Sequence, residues 1–80
     1  MDITIQLFGI TREIAGNAQI VLSVAEGTTV SQLLQHLQER YPRLAGLSSL
    51  AVALNTEYAT GIETLTQSDE IALIPPVSGG

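Results

Sequence analysis

Cysteine, lysine and tryptophan are all absent from this 80-residue chain. Without cysteine there is no disulfide, no thiol nucleophile and no Cys-ligated zinc or iron–sulfur site. Without lysine, an activated carboxyl group of this chain has no side-chain amine of its own to join. Positive charge is confined to Arg12, Arg40 and Arg43, and the formal net charge is −5. Such a surface suits neither nucleic acid nor an anionic membrane as a partner, but it suits a basic protein. No apolar run approaches membrane-spanning length. The opening Met1-Asp2-Ile3-Thr4-Ile5 lacks a positive n-region and an apolar h-region, so no signal peptide is expected and the expected location is cytoplasmic.

What the chain does have is apolar content, 45% of its residues, which excludes disorder. Its length allows one domain with one core and little stability to spare. Met1 to Phe8 alternates, with Ile3, Ile5 and Leu7 on one face and Thr4 and Gln6 on the other, which predicts a half-buried strand. Phe8 has the parity of the polar face. Thr11 to Ala15 reads as one helical turn, opened by the Thr11 hydroxyl and closed by Gly16. Gln19 to Val24 is a second alternating strand, antiparallel to the first.

Thr29 and Gln32 have capping-box spacing, and Val30, Leu33, Leu34 and Leu37 follow at i, i+3, i+4 and i+7. This predicts a main helix, ended by Tyr41-Pro42. Arg40 and Arg43 lie by that end, where the macrodipole favours cations. Residues 43–49 are a connection with a short turn near Leu44 to Leu47. Leu50 to Leu54 is a buried strand, Asn55-Thr56 a turn, and Glu57 to Ala59 a short return. Gly61 to Ser68 is loop, with a turn of helix at Glu63 to Thr66, and Glu70 to Ile74 is the final strand.

One helix cannot cover both faces of a four- or five-stranded sheet, so the architecture is α+β with a mixed sheet and one open face. If the first and last strands are adjacent and parallel, this is the β-grasp arrangement, formed by residues 1–74. Phe8 and Ile74 are out of phase with the core and belong to the open face. An apolar patch there marks a partner interface, with shielding by a loop as the competing reading.

Residues 75–80 form a tail. Pro75 and Pro76 cannot donate to a ladder, so the sheet must release the chain there. Val77, Ser78, Gly79 and Gly80 offer little to bury and are expected to be mobile. The extended reach from Pro75 to Gly80 is about 20 Å. Gly79, lacking a Cβ, suits a narrow channel, and the working group is the α-carboxylate of Gly80.

The ending Asp69-Glu70-Ile71-Ala72-Leu73-Ile74-Pro75-Pro76-Val77-Ser78-Gly79-Gly80 resembles the small, sulfur-carrying subunits of molybdopterin synthase. Further matches are Phe8, Arg12-Glu13, Gly16, Gly27-Thr28-Thr29-Val30, Leu33-Leu34, Tyr41-Pro42 and Ala53-Leu54-Asn55-Thr56-Glu57-Tyr58. The resemblance implies a ubiquitin-like β-grasp fold and a carrier that binds no cofactor of its own. An ATP-dependent activating enzyme would adenylate Gly80, and sulfur would replace one oxygen to give a thiocarboxylate. The large synthase subunit, in a heterotetramer, would receive the tail and use the sulfur on cyclic pyranopterin monophosphate. Phe8, Ile74, Pro75, Pro76, Val77 and Ser78 would meet that partner. Ser68, where many members have glycine, and Gly9-Ile10 depart from the family pattern.

The chain offers no nucleophile–base pair and no phosphate loop, so catalytic groups must come from partners. His36 lies among glutamines on the polar helix face and reads as solvated. Asp69-Glu70 reads as a turn into a strand rather than a metal pair, and Arg12 and Glu13 as either a surface pair or partner contacts. The rival functions are sulfur carriage for thiazole or tRNA thiolation, protein modification through Gly80, and a plain interaction module.

Overall fold

The computed structural model describes residues 1–47 and 49–75. Eight elements follow one another: β1 (Asp2–Leu7), α1 (Ile10–Ala15), β2 (Gln19–Ser23), α2 (Val30–Arg40), α3 (Pro42–Ala45), β3 (Ala51–Leu54), β4 (Glu57–Tyr58) and β5 (Ile71–Ile74). The strands form one five-stranded sheet in the order β2-β1-β5-β3-β4. β1 and β5 pair in parallel at its centre, and the other pairs are antiparallel. This is the β-grasp arrangement expected from the order of elements.

Alternation in β1 buries Ile3, Ile5 and Leu7, and the same period in β5 buries Ile71 and Leu73. Helix α2 lies across this face and buries Val30, Leu33 and Leu37. Each of these side chains contributes about 1.5–3 kcal/mol through removal from water. The capping box is present: the Gln32 N–H donates to Thr29 Oγ1 at 3.3 Å, and the Thr29 N–H donates to Gln32 Oε1 at 2.9 Å. The helix ends at Tyr41, whose ring carries the Arg40 guanidinium 5.7 Å from its centroid.

Three local expectations are corrected. The turn after β1 begins at Ile10, not at Thr11, because Thr11 turns its hydroxyl back to Phe8 instead of forward to the helix. Pro42 does not merely stop α2 but opens α3, whose Leu44 is buried; proline at the first helical position has no N–H to leave unpaired. No helical turn forms at Glu63 to Thr66. That segment instead bridges to the start of α2, with Thr29 opposite Thr64. The Val30 N–H donates to the Glu63 carbonyl and the Leu65 N–H to the Thr28 carbonyl, both at 2.9 Å. The first bond occupies a donor that a helix start leaves free, and the pair swings Leu65 into the core, 2% exposed.

Gly61 makes this clip close. A Cβ there would sit 2.4 Å from Ser31 Oγ, whose backbone N–H donates to the Gly61 carbonyl at 3.0 Å. The Glu63 carboxylate accepts from the Thr60 and Gly61 N–H groups at 2.7 and 2.8 Å. The Thr60 bond leads in holding that carboxyl below its ordinary range.

The β3–β4 hairpin turns on Asn55 and Thr56, at φ 51° and 72°, the positive pair that a two-residue hairpin favours. Asn55 also ties the hairpin to the entry of β5. Its Nδ2 donates to Asp69 Oδ1 at 3.0 Å, and its Oδ1 accepts the Glu70 N–H at 2.9 Å. Asp69 Oδ2 accepts the Thr66 N–H at 2.7 Å. The Asn55 amide, and then the Thr66 N–H, hold the Asp69 carboxyl below its ordinary range.

Two outcomes follow for stability. Leu65→Ala is expected to cost about 2–5 kcal/mol, most of what a domain of this size has, read as a fall in the urea midpoint. The depressed Asp69 carboxyl adds stability above its unfolded pKa, and that contribution is lost as pH falls through the folded value. Asn55→Gly keeps the left-handed turn and removes the amide. It is expected to raise the Asp69 midpoint, seen in a carboxyl-carbon NMR titration, and to flatten the acid-side loss of stability.

Candidate functional site

The site is built where the sheet lets go of the chain. Parallel register sets Leu7 beside Leu73, so the residues that follow, Phe8 and Ile74, occupy neighbouring positions on the open face. Phe8 is 50% exposed and Ile74 is half-buried. Their antiparallel neighbour across β3 is Ala51, opposite Ile74. An aromatic left half in water beside the exit of a central strand is unfavourable unless another surface covers it.

Phe8 is also one wall of a groove of about 470 Å³ on this face. Its floor is small, with Ala72 of β5 opposite Ala53 of β3, and Thr4, Gln6, Thr56 and Glu70 line its sides. Sequence reasoning identified Phe8 and Ile74 but missed the groove. Its signal was there, in Ala72 and Ala53 at out-of-core positions between larger residues. The three arginines stand on α1, α2 and α3 and none lines the groove, whereas Asp69 and Glu70 border it. A partner with apolar and cationic groups fits it best.

The corner joining β1 to α1 is stiff. Thr11 is fully buried, and its hydroxyl accepts the Phe8 N–H at 3.0 Å and donates to the Phe8 carbonyl at 2.5 Å. Phe8 is thereby fixed at the end of β1 by a residue that the sequence suggested only as a helix opener. Pro75 leaves β5 half-buried and lies against Gly9 of this corner.

Pro76, Val77, Ser78, Gly79 and Gly80, named from the sequence for the tail and its chemistry, lie outside the described residues. Phe8, Ile74 and Pro75 are brought together at one end of the sheet. Ser68 lies in the turn closed by the Asp69 N–H to the Thr66 carbonyl, and its backbone does not need glycine's left-handed region. Among the described residues, no group of three or more His, Cys, Asp and Glu side chains is placed to hold a metal ion. No described helix is long and apolar enough to cross a membrane.

Comparison with known proteins agrees with this geometry. The chain is 37% identical, over its whole length and 84% of the other protein, to the molybdopterin synthase sulfur carrier subunit of Arabidopsis thaliana. Among solved structures, small archaeal modifier protein 1 of Haloferax volcanii superposes with a TM-score of 0.81 at 28% identity, covering 95% of this chain and 98% of that one. A chain from the complex of subunits 1 and 2 of the molybdopterin-converting factor of Helicobacter pylori superposes with a TM-score of 0.68 at 27% identity over the full length of both. The pattern of the ThiS family matches residues 5–80. With that match spanning nearly the whole sequence, on a β-grasp fold, the chain belongs to the ThiS family.

Proposed function

We propose that this protein is the sulfur carrier of molybdopterin synthase, working through the α-carboxylate of Gly80. The observation that carries the reading is the meeting of Phe8, Ile74 and Pro75 where β5 ends, on a chain similar throughout to molybdopterin synthase sulfur carrier subunits. The folded domain is the handle, and residues 75–80 are the arm.

A carboxylate is a poor electrophile, so the arm must first be activated. An ATP-dependent activating enzyme joins Gly80 to AMP and releases pyrophosphate. A sulfur donor then displaces AMP, leaving a thiocarboxylate that is ionised at neutral pH and a softer nucleophile than the carboxylate. The large synthase subunit receives the arm, and sulfur passes to cyclic pyranopterin monophosphate. Water restores the carboxylate, and two rounds build the dithiolene. This chain supplies the nucleophile and the fit, while its partners supply acid–base groups and ATP.

The Phe8–Ile74 patch and the adjoining groove suit the large subunit, with Pro75 to Ser78 running from the sheet into its channel. The Helicobacter pylori complex of two subunits supports such a pairing. A heterotetramer, with two carriers flanking a dimer of large subunits, is the assembly proposed. The missing cysteines and lysines accord with a chain whose activated end must not react with itself.

A second reading has an observation of its own, since the Haloferax volcanii neighbour is named a modifier. As a modifier, Gly80 would form an isopeptide with a lysine of another protein. Carriage for thiazole or tRNA thiolation would use the same tail chemistry with a different acceptor.

Intact-mass measurement after incubation with ATP, a sulfur donor and the host's activating enzyme tests the reading. The expected outcome is a mass gain equal to the exchange of one oxygen for sulfur, absent from the variant lacking Gly80. Conjugates to protein lysines, with no such exchange, would favour the modifier.

A further inference from the structure

Gly9 is one of the two positions where this sequence departs from the usual segment after the first strand, and it meets the base of the arm. A Cβ built on Gly9 would lie 3.1 Å from Cγ of Pro75. Carbon atoms at ease with one another stand about 3.5–4.0 Å apart. The Pro75 ring therefore lies over the side of Gly9 where a Cβ would stand, and any side chain there must push it away by a few tenths of an ångström. Gly9 also has φ 55° and ψ −132°, a conformation that residues with a Cβ rarely adopt.

We propose that Gly9 is a positioning residue: its Cα is the seat of the Pro75 ring, and this seat sets the direction in which the chain leaves the sheet toward Gly80. Both sides of the contact are held. The seat is fixed by the Thr11 hydroxyl on Phe8, and by the Arg12 and Glu13 N–H groups donating to the Gly9 carbonyl at 3.1 and 3.4 Å. The ring is fixed because β5 is paired up to its last residue, with Ile74 opposite Ala51, and because proline has a locked φ. Little freedom remains at the Ile74–Pro75 junction beyond what the seat allows. When the arm is drawn out to its full reach of about 20 Å in a partner's channel, a rotation of about 10° at this junction displaces its end by about 3 Å. Misplacement on the order of 1 Å is enough to cost about a hundredfold in rate at a reacting centre.

The consequence for transfer rests on the carrier reading; the contact itself does not. Two measurements separate them. In the uncharged protein, an NOE between Gly9 Hα and Pro75 Hγ is expected, and its absence overturns the proposal whatever the protein does. The second uses charged protein with the large subunit and its pterin substrate, in a cycle of wild type, Gly9→Ala, Pro75→Ala and the double variant. Circular dichroism and thermal midpoints check that each is folded. Gly9→Ala is expected to lower kcat about tenfold or more, with a smaller change in KM. In the Pro75→Ala background, where no ring is left to displace, Gly9→Ala is expected to change kcat less than twofold.

An equal loss in both backgrounds would mean that Gly9 acts only through its own backbone strain, and would overturn the proposal. So would a Gly9→Ala variant that transfers at the wild-type rate. Failure of the wild type itself to transfer sulfur would count against the carrier reading, and the NOE would still decide the seat.

Discussion

Parallel pairing of β1 with β5 is the constraint on which the rest depends. It brings the first and last strands together at the centre of the sheet, with Ile5 beside Ile71 and Leu7 beside Leu73. Those four side chains form the middle of the core, and α2 is needed to cover them. The same register decides what happens on the other face. Once Leu7 and Leu73 point inward, Phe8 and Ile74 must come out side by side, next to the point where Pro75 ends the ladder. Core and candidate interface are thus two faces of one pairing, and slipping it by one residue would exchange them.

Small size makes the remaining contacts matter. An 80-residue chain holds a narrow margin between burial and ordering entropy, and here neither disulfide nor metal-bound cysteine widens it. Two polar clips serve instead. The segment from Gly61 to Leu65 occupies the first N–H groups of α2 and inserts Leu65. Asn55 joins the β3–β4 turn to the entry of β5 through both ends of its amide. The second clip also shapes the groove, because it fixes Thr56, Asp69 and Glu70 around the floor of Ala53 and Ala72.

Much of this was legible in the sequence, and the reasons are specific. Period-two alternation gave β1, β2 and β5, and the Thr29–Gln32 spacing gave the start of α2, because these signals are local. The apolar residues at the wrong parity, Phe8 and Ile74, gave the open-face patch. What escaped was tertiary. Leu65 looked like a loop residue because its burial depends on carbonyls of another segment. Thr11 looked like a cap, since nothing local says that its hydroxyl turns back to Phe8. Gly9 appeared only as a departure from a family pattern, because its partner Pro75 is far away in the chain and near only after β1 and β5 have paired.

In the function proposed, sulfur carried at Gly80 reaches a pterin through the large synthase subunit. A single-turnover reaction tests it most directly: thiocarboxylated protein, prepared with labelled sulfur, is mixed with the large subunit and cyclic pyranopterin monophosphate. The label is expected to move into a dithiolene-bearing pterin, two charged chains being consumed for each product. Label that stays on this protein, while a known carrier is discharged under the same conditions, would contradict it.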